Sequence, residues 1–131
     1  MIRRLSHDNF SDLVNPNNIS VIKLGHDGCP LCVNLTPVYE EMAEIYEDDE
    51  IFDFFEIDVI ADDDVLVDRM RAGNPSDNPG VPEIWFYHLG IFKEIPWPDQ
   101  PSSSGYSIWY LKSFFDNFKW FRSYSESCTK F

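Results

Sequence analysis

The chain has 131 residues, 44% of them hydrophobic and 16% aromatic, which suffices for one packed core and is too short for two ordinary domains. Ten basic residues against 23 acidic ones give a formal net charge of -13; phosphate contacts need clustered Lys and Arg, so direct nucleic-acid binding is excluded and proteins are the expected partners. No run approaches the ~20 apolar residues that cross a bilayer, and the segment Met1 to Asp8 turns polar too soon for a secretory leader, so a cytoplasmic monomer is expected.

The predicted elements follow in chain order. Leu5 to Val14 reads as a short amphipathic helix with Ser6 as N-cap and Phe10, Leu13 and Val14 on one side. Asn15-Pro16-Asn17-Asn18 ends it as a turn. Ile19 to Leu24 is β-branched and mostly apolar, as a buried central strand requires. From Pro30 the spacing Leu31, Leu35, Val38, Met42, Ile45 marks one face of a helix; Pro30 suits its first turn and Pro37 should kink it. Ile51 to Asp58 reads as a second strand. Asp62, Asp63 and Asp64 favour a helix start before Val65, Leu66 and Met70, and Gly73 stops that helix. Gly73 to Gly80 is a loop. Glu83 to His88 and Ile91 to Ile95, separated by Leu89-Gly90, signal a hairpin. Trp97 to Gly105 is a second loop, and Ile108, Leu111, Phe115 and Phe118 mark a final helix. The domain is expected to span residues 1–122, followed by a polar tail, 123–131. Strands alternating with helices and then a hairpin predict an α/β domain, with a central mixed sheet covered by helices on both faces.

Three cysteines make a poor framework for a stapled secreted domain. Cys128 lies in the polar tail and reads as a spare exposed thiol. Cys29-Pro30-Leu31-Cys32 is different, because it stands where a buried strand passes into a helix. There Cys29 meets the unpaired N–H groups and positive end of the helix, which stabilise the attacking thiolate, and Cys32 lies one turn further in. Such a pair attacks a disulfide through Cys29 and resolves the mixed disulfide through Cys32. Zinc and iron-sulfur sites share the C-x-x-C spacing, and a buried reduced pair is a third reading; His26 offers a nominal third metal ligand, but a closed zinc site wants four, and no second C-x-x-C or nearby His pair exists.

Along most of its length the chain resembles the thioredoxin family. Leu5 to Phe10 is similar to the opening helix, Cys29-Pro30-Leu31-Cys32 to the redox motif and Pro37 to the kinking proline. Glu56-Ile57-Asp58 looks like the end of the next strand, Gly80-Val81-Pro82 like the cis-proline segment, and Gly90 like the hairpin glycine. The resemblance implies a thioredoxin fold and a protein-disulfide oxidoreductase whose only redox group is the Cys29-Cys32 disulfide, with no metal or other cofactor. It implies Cys29 and Cys32 as catalytic residues, with Gly28, Pro30, Leu31, Val81 and Pro82 against the substrate. It further implies that the Val81 backbone pairs with an extended substrate segment, and that thioredoxin reductase or glutathione supplies electrons. The other reading of Pro82 is that it simply begins a strand.

Departures accompany the likeness. Gly28 stands where thioredoxins have tryptophan, the Pro-first motif is more like glutaredoxins, Lys23 takes the place of the family's buried acid, and Glu83 follows the proline. Lys23 either underlies the site as a cation, with Glu83 opposing it, or extends its head into water. His26 and Asp27 either tune Cys29 or form the loop before it. Two other functions compete: a glutaredoxin-like use of glutathione, and a non-catalytic binding module presenting aromatics of the final helix region, Tyr106, Trp109, Tyr110, Phe114, Trp120 and Phe121.

Overall fold

A computed structural model describes residues 1–61, 64–72 and 80–129. Its sheet has five strands, β1 (Ile2–Arg4), β2 (Ile19–Gly25), β3 (Phe52–Asp58), β4 (Glu83–His88) and β5 (Ile91–Glu94), in the order β1-β3-β2-β4-β5. The first three strands run parallel, and β4 is antiparallel to both β2 and β5. The helices are α1 (Phe10–Leu13), α2 (Pro30–Ile45), α3 (Asp64–Arg71), α4 (Ile108–Phe115) and α5 (Phe118–Thr129).

Strand alternation divides the core in two. Ile19 and Val21 of β2, Phe52 and Phe54 of β3 and Ile84 and Phe86 of β4 face one side, where they pack with Leu35, Tyr39 and Met42 of α2, Leu111 and Phe115 of α4 and Phe121 of α5. Ile22 and Leu24, Phe55 and Ile57, and Trp85 face the other, with Phe10 of α1 and Leu66, Val67 and Met70 of α3. Phe115 is the hub of the first side: its ring meets those of Tyr46, Phe52, Phe54 and Phe86 at centroid separations of 5.0 to 5.7 Å. Deleting such a buried ring costs about 3–5 kcal/mol.

Several expectations need correction. Ile2–Arg4 is an edge strand, and the first helix shrinks to Phe10–Leu13 with Asn9 rather than Ser6 at its N-cap. Ser6 and Asn9 instead bind each other reciprocally, Ser6 N–H to Asn9 Oδ1 at 2.8 Å and Asn9 N–H to Ser6 Oγ at 3.4 Å. The buried stripe of α2 runs through Cys32, Leu35, Tyr39, Met42 and Ala43, while Ile45 is exposed. The final helix is two, α4 and α5, and α5 continues through Thr129 into the segment expected as a tail, where Ser125 is fully buried. Asp62, Asp63, the loop at Gly73 to Pro79, and the side chains of Trp120 and Cys128 lie outside the described residues. Leu89 and Gly90 turn the hairpin, both at positive φ, 51° and 83°, as a two-residue connection of this twist requires.

Candidate functional site

β2 ends at Gly25, the chain turns through His26, Asp27 and Gly28, and α2 begins at Pro30. Cys29 is the N-cap: its backbone is extended, and its sulfur accepts the Cys32 N–H at 3.2 Å. Proline follows at the first helical position, where its missing N–H leaves no bond unmade. The turn before it is fixed by the Cys29 N–H donating to the His26 carbonyl at 3.2 Å and the Gly28 N–H donating to His26 Nδ1 at 3.0 Å. His26 therefore shapes the loop, with its Nδ1 used as an acceptor.

Cys29 and Cys32 are joined as a disulfide, their Cα atoms 5.1 Å apart. Cys29 is partly exposed and Cys32 is buried. Around Cys29 the surface is formed by Asp27, Gly28 and Pro30, all exposed, and by half-buried Leu31. Across from α2, the Val81–Pro82 peptide bond is cis and the Val81 carbonyl oxygen stands 3.6 Å from Cys29 Sγ. Thus the chain ends of two elements far apart in sequence meet at the first cysteine.

Strand register and alternation decide the place of two of the expected tuning residues. Lys23 does not reach into water: it is 7% exposed, its ammonium lies 3.5 Å from Glu56 Oε2 of β3 and 5.1 Å from the centre of the Tyr39 ring. Register explains it, because Lys23 and Glu56 are direct partners in the β2–β3 ladder and both point to the α2 side. Glu83 does not oppose Lys23 at the cysteines. It lies on the other side of the sheet, beside Trp85, fully buried and ion-paired to Arg71 of α3. Alternation along β4 dictates this, since Ile84 takes the α2 side.

Next to Cys32 a cavity of about 440 Å³ opens, lined by Arg4, Lys23, His26, Thr36, Glu56 and Asp58 among others. Asp58 accepts the N–H groups of Ile60 and Ala61, at 2.9 and 3.0 Å; these bonds, helped by Arg4 and His26, hold its carboxyl below the usual range. Arg4, Glu56 and Thr36 escaped the sequence reading. The available signal was a charged residue in the middle of each of two apolar strands, which only the register turns into a pair. Among the described residues no group of His, Cys, Asp and Glu is arranged to hold a metal ion.

Parallel β1-β3-β2, the antiparallel hairpin β4-β5, helices on both faces, and the N-terminus of α2 facing a cis-proline together define a known architecture. The chain has the thioredoxin fold. Solved thioredoxin-fold structures superpose on it across most of its length. A zinc-bound form of human ERp44 matches with TM-score 0.63 and 15% identity over 89% of this chain and 31% of its own. Thioredoxin f from spinach chloroplast gives 0.58 and 19%, covering 72% of this chain and 74% of its own. The first thioredoxin domain of mouse protein disulfide-isomerase A4 gives 0.58 and 21%, covering 70% and 61%. This thioredoxin-fold chain thus spans about a third of the ERp44 chain. No family model and no curated protein sequence matches it.

Proposed function

We propose that the chain is a thiol-disulfide oxidoreductase that reduces protein disulfides by dithiol exchange. The observation that carries this reading is the Cys29–Cys32 disulfide at the first turn of α2, one sulfur accessible and the other buried. In the reduced protein the Cys29 thiolate attacks a substrate disulfide, and one substrate sulfur leaves as thiol. Cys32 then attacks Cys29, closing the internal disulfide and releasing the second substrate thiol. The helix N-terminus favours the Cys29 thiolate, and the Cys32 N–H already points at its sulfur.

Substrate recognition falls to the surface around Cys29, namely Gly28, Pro30, Leu31 and the segment Val81-Pro82. The Val81 backbone pairs with an extended peptide in the manner of strand addition; its position before β4 and outside that strand's ladder supports this reading. Electrons come from a reductase of the thioredoxin reductase kind or from glutathione. The binding-module reading has less support: Tyr106 and Phe121 are buried, Tyr110 and Phe114 half-buried, and only Trp109 among these described aromatics is exposed, at 76%.

The first test equilibrates the protein with glutathione redox buffers and reads the Cys29–Cys32 pair by alkylation mass. A potential near the thioredoxin end of the ~-270 to -120 mV range supports protein-disulfide reduction; one toward about -200 mV or above moves the assignment to glutathione-dependent or oxidising chemistry. Absence of any reversible disulfide refutes the proposal. Cys32→Ser should accumulate the mixed disulfide through Cys29, and Cys29→Ser should form none.

A further inference from the structure

The α2-facing stripe of the sheet changes character along its length. On β2 it reads Ile19, Val21, Lys23, Gly25, and on β3 Phe52, Phe54, Glu56, Asp58. The apolar part seals the core beneath the middle of α2, and the charged part lies beneath its first turn. Gly25 fixes where Cys32 sits, since a Cβ built on Gly25 would fall 3.3 Å from Cys32 Sγ. Lys23 is two residues back along the same strand and on the same face, roughly 7 Å away at ~3.3 Å per residue. Lys23, Glu56 and Cys32 all line the one cavity.

We propose that the buried ammonium of Lys23 stabilises the Cys32 thiolate, with Glu56 as its counter-charge. Lys23 thereby sets both the rate at which Cys32 resolves a mixed disulfide and the redox poise of the pair. This rests on the dithiol-exchange reading above. Cys32 must lose a proton while 5% exposed, and burial alone disfavours its charged form. A nearby cation offsets that penalty, and Lys23 supplies one from the strand against which the sulfur rests.

Glu56 does not cancel the effect. Its side chain is 36% exposed against 9% for Lys23, so water screens the carboxylate more than the ammonium. Of the other charged groups that line the cavity, two cancel and the third, Asp27, is exposed and screened by water. Arg4 and Asp58 are paired with each other at 3.5 Å. Asp27 and His26 also line the cavity, Asp27 exposed to water and His26 accepting the Gly28 N–H at Nδ1. The Tyr39 hydroxyl, bound to the carbonyls of Val21 and Phe55, stays protonated because burial, and then Glu56, push its pKa up. Lys23 is a positioning residue here, acting on substrate through Cys32. In the step it assists, the Cys32 thiol gives its proton to solvent and the thiolate attacks Cys29 Sγ. The Cys29–Cys32 bond forms as the bond from Cys29 to substrate sulfur breaks, and the departing thiolate takes up a proton. Two electrons pass from the dithiol to the substrate disulfide, and an external dithiol or two thiols must later restore them.

The test is stopped-flow reaction of the reduced protein with dithiobis(nitrobenzoate), whose first coloured thiolate reports Cys29 attack and whose second reports resolution by Cys32. Lys23→Met should slow the second phase about tenfold at pH 7 and move its pH midpoint up by about one unit, leaving the first phase in place. Glu56→Gln should move the midpoint down and speed the phase, and Lys23→Arg should restore it. Against glutathione, Lys23→Met should be about tenfold more reducing, ~30 mV. An unchanged midpoint in Lys23→Met overturns the proposal. So does a shift of both variants in the same direction, the mark of a loosened site or of Glu56 acting as proton acceptor. If wild-type protein gives no first phase, the dithiol-exchange reading itself falls. The opposite signs of the two variants keep the test valid should either one lose stability.

Discussion

Gly105 shows how one residue holds a loop against α2. Its φ is 77°, and a Cβ there would lie 2.6 Å from Cη2 of Trp97, whose ring packs edge-on against buried Tyr106. The same loop closes on itself through a Ser102–Gly105 bridge and takes a hydrogen bond from Asn34 of α2 at its Ser103 carbonyl, 2.8 Å. Left-handed backbone and collision both penalise a side chain, so Gly105→Ala should cost roughly 1–3 kcal/mol in urea unfolding. A loss below about 0.5 kcal/mol would mean that Trp97 yields without disturbing Tyr106. At this scale the site was legible where chemistry concentrates in a few adjacent letters: Cys29, Pro30 and Cys32 stand where their residue types led, and the cis Val81-Pro82 bond where the family resemblance led. Glu83 was misplaced, and the place of Lys23 was left open, because their partners, Arg71 and Glu56, are 12 and 33 residues away and are chosen by strand alternation and register.

At the scale of elements, α5 is held to the sheet by a buried polar contact. His88 of β4 and Ser125 meet at 2.8 Å, and Ser125 Oγ donates to the Arg122 carbonyl at 3.0 Å. The serine has one proton, so its oxygen accepts from His88 Nδ1–H. Burial first, then Arg122, pushes the His88 pKa down, while Glu126 opposes the shift. The unfolded chain therefore binds a proton near the ordinary histidine value, about 6.5, that the folded chain resists. Stability from this group is complete above that pH and is lost as pH falls through it. Hydrogen exchange in 118–129 should accelerate from pH 7.5 to 5.5 relative to the sheet, after correction for intrinsic exchange, and His88→Gln should flatten that relative change. Equal pH response in both proteins would assign it elsewhere. Nothing in the polar letters after Phe121 announced this helix, since its anchor is a histidine at the end of a strand 37 residues earlier. Likewise β1 is three residues long with two arginines, and only pairing with β3 makes it a strand. β2, β3 and the hairpin were legible because each is a short, mostly apolar run, rich in β-branched or aromatic residues and punctuated by turn residues.

For the whole molecule the sheet places its apolar stripes centrally and its site at the carboxyl end of β2, a usual place for function in sheets of this class. Charge is distributed less evenly. Much of the -13 gathers where α2 ends: Glu40, Glu41, Glu44, Glu47, Asp48, Asp49 and Glu50 are all exposed, and the last turn of α2 holds no basic residue. Acids there oppose the helix dipole, each by about 0.3–1 kcal/mol, and Glu40 with Glu44 adds like-charge repulsion of about 0.2–0.5 kcal/mol. Glu44→Lys removes both penalties, so it should stabilise the fold by at least about 0.5–1.5 kcal/mol and raise Tm by at least about 2–5 °C. Salt should mimic the change. The Debye length falls from about 10 Å at 0.1 M to about 3 Å at 1 M, so the wild-type Tm should climb with sodium chloride while the gain from Glu44→Lys shrinks. A gain that persists undiminished at high salt would trace it to helix propensity or packing rather than to the accumulated negative charge.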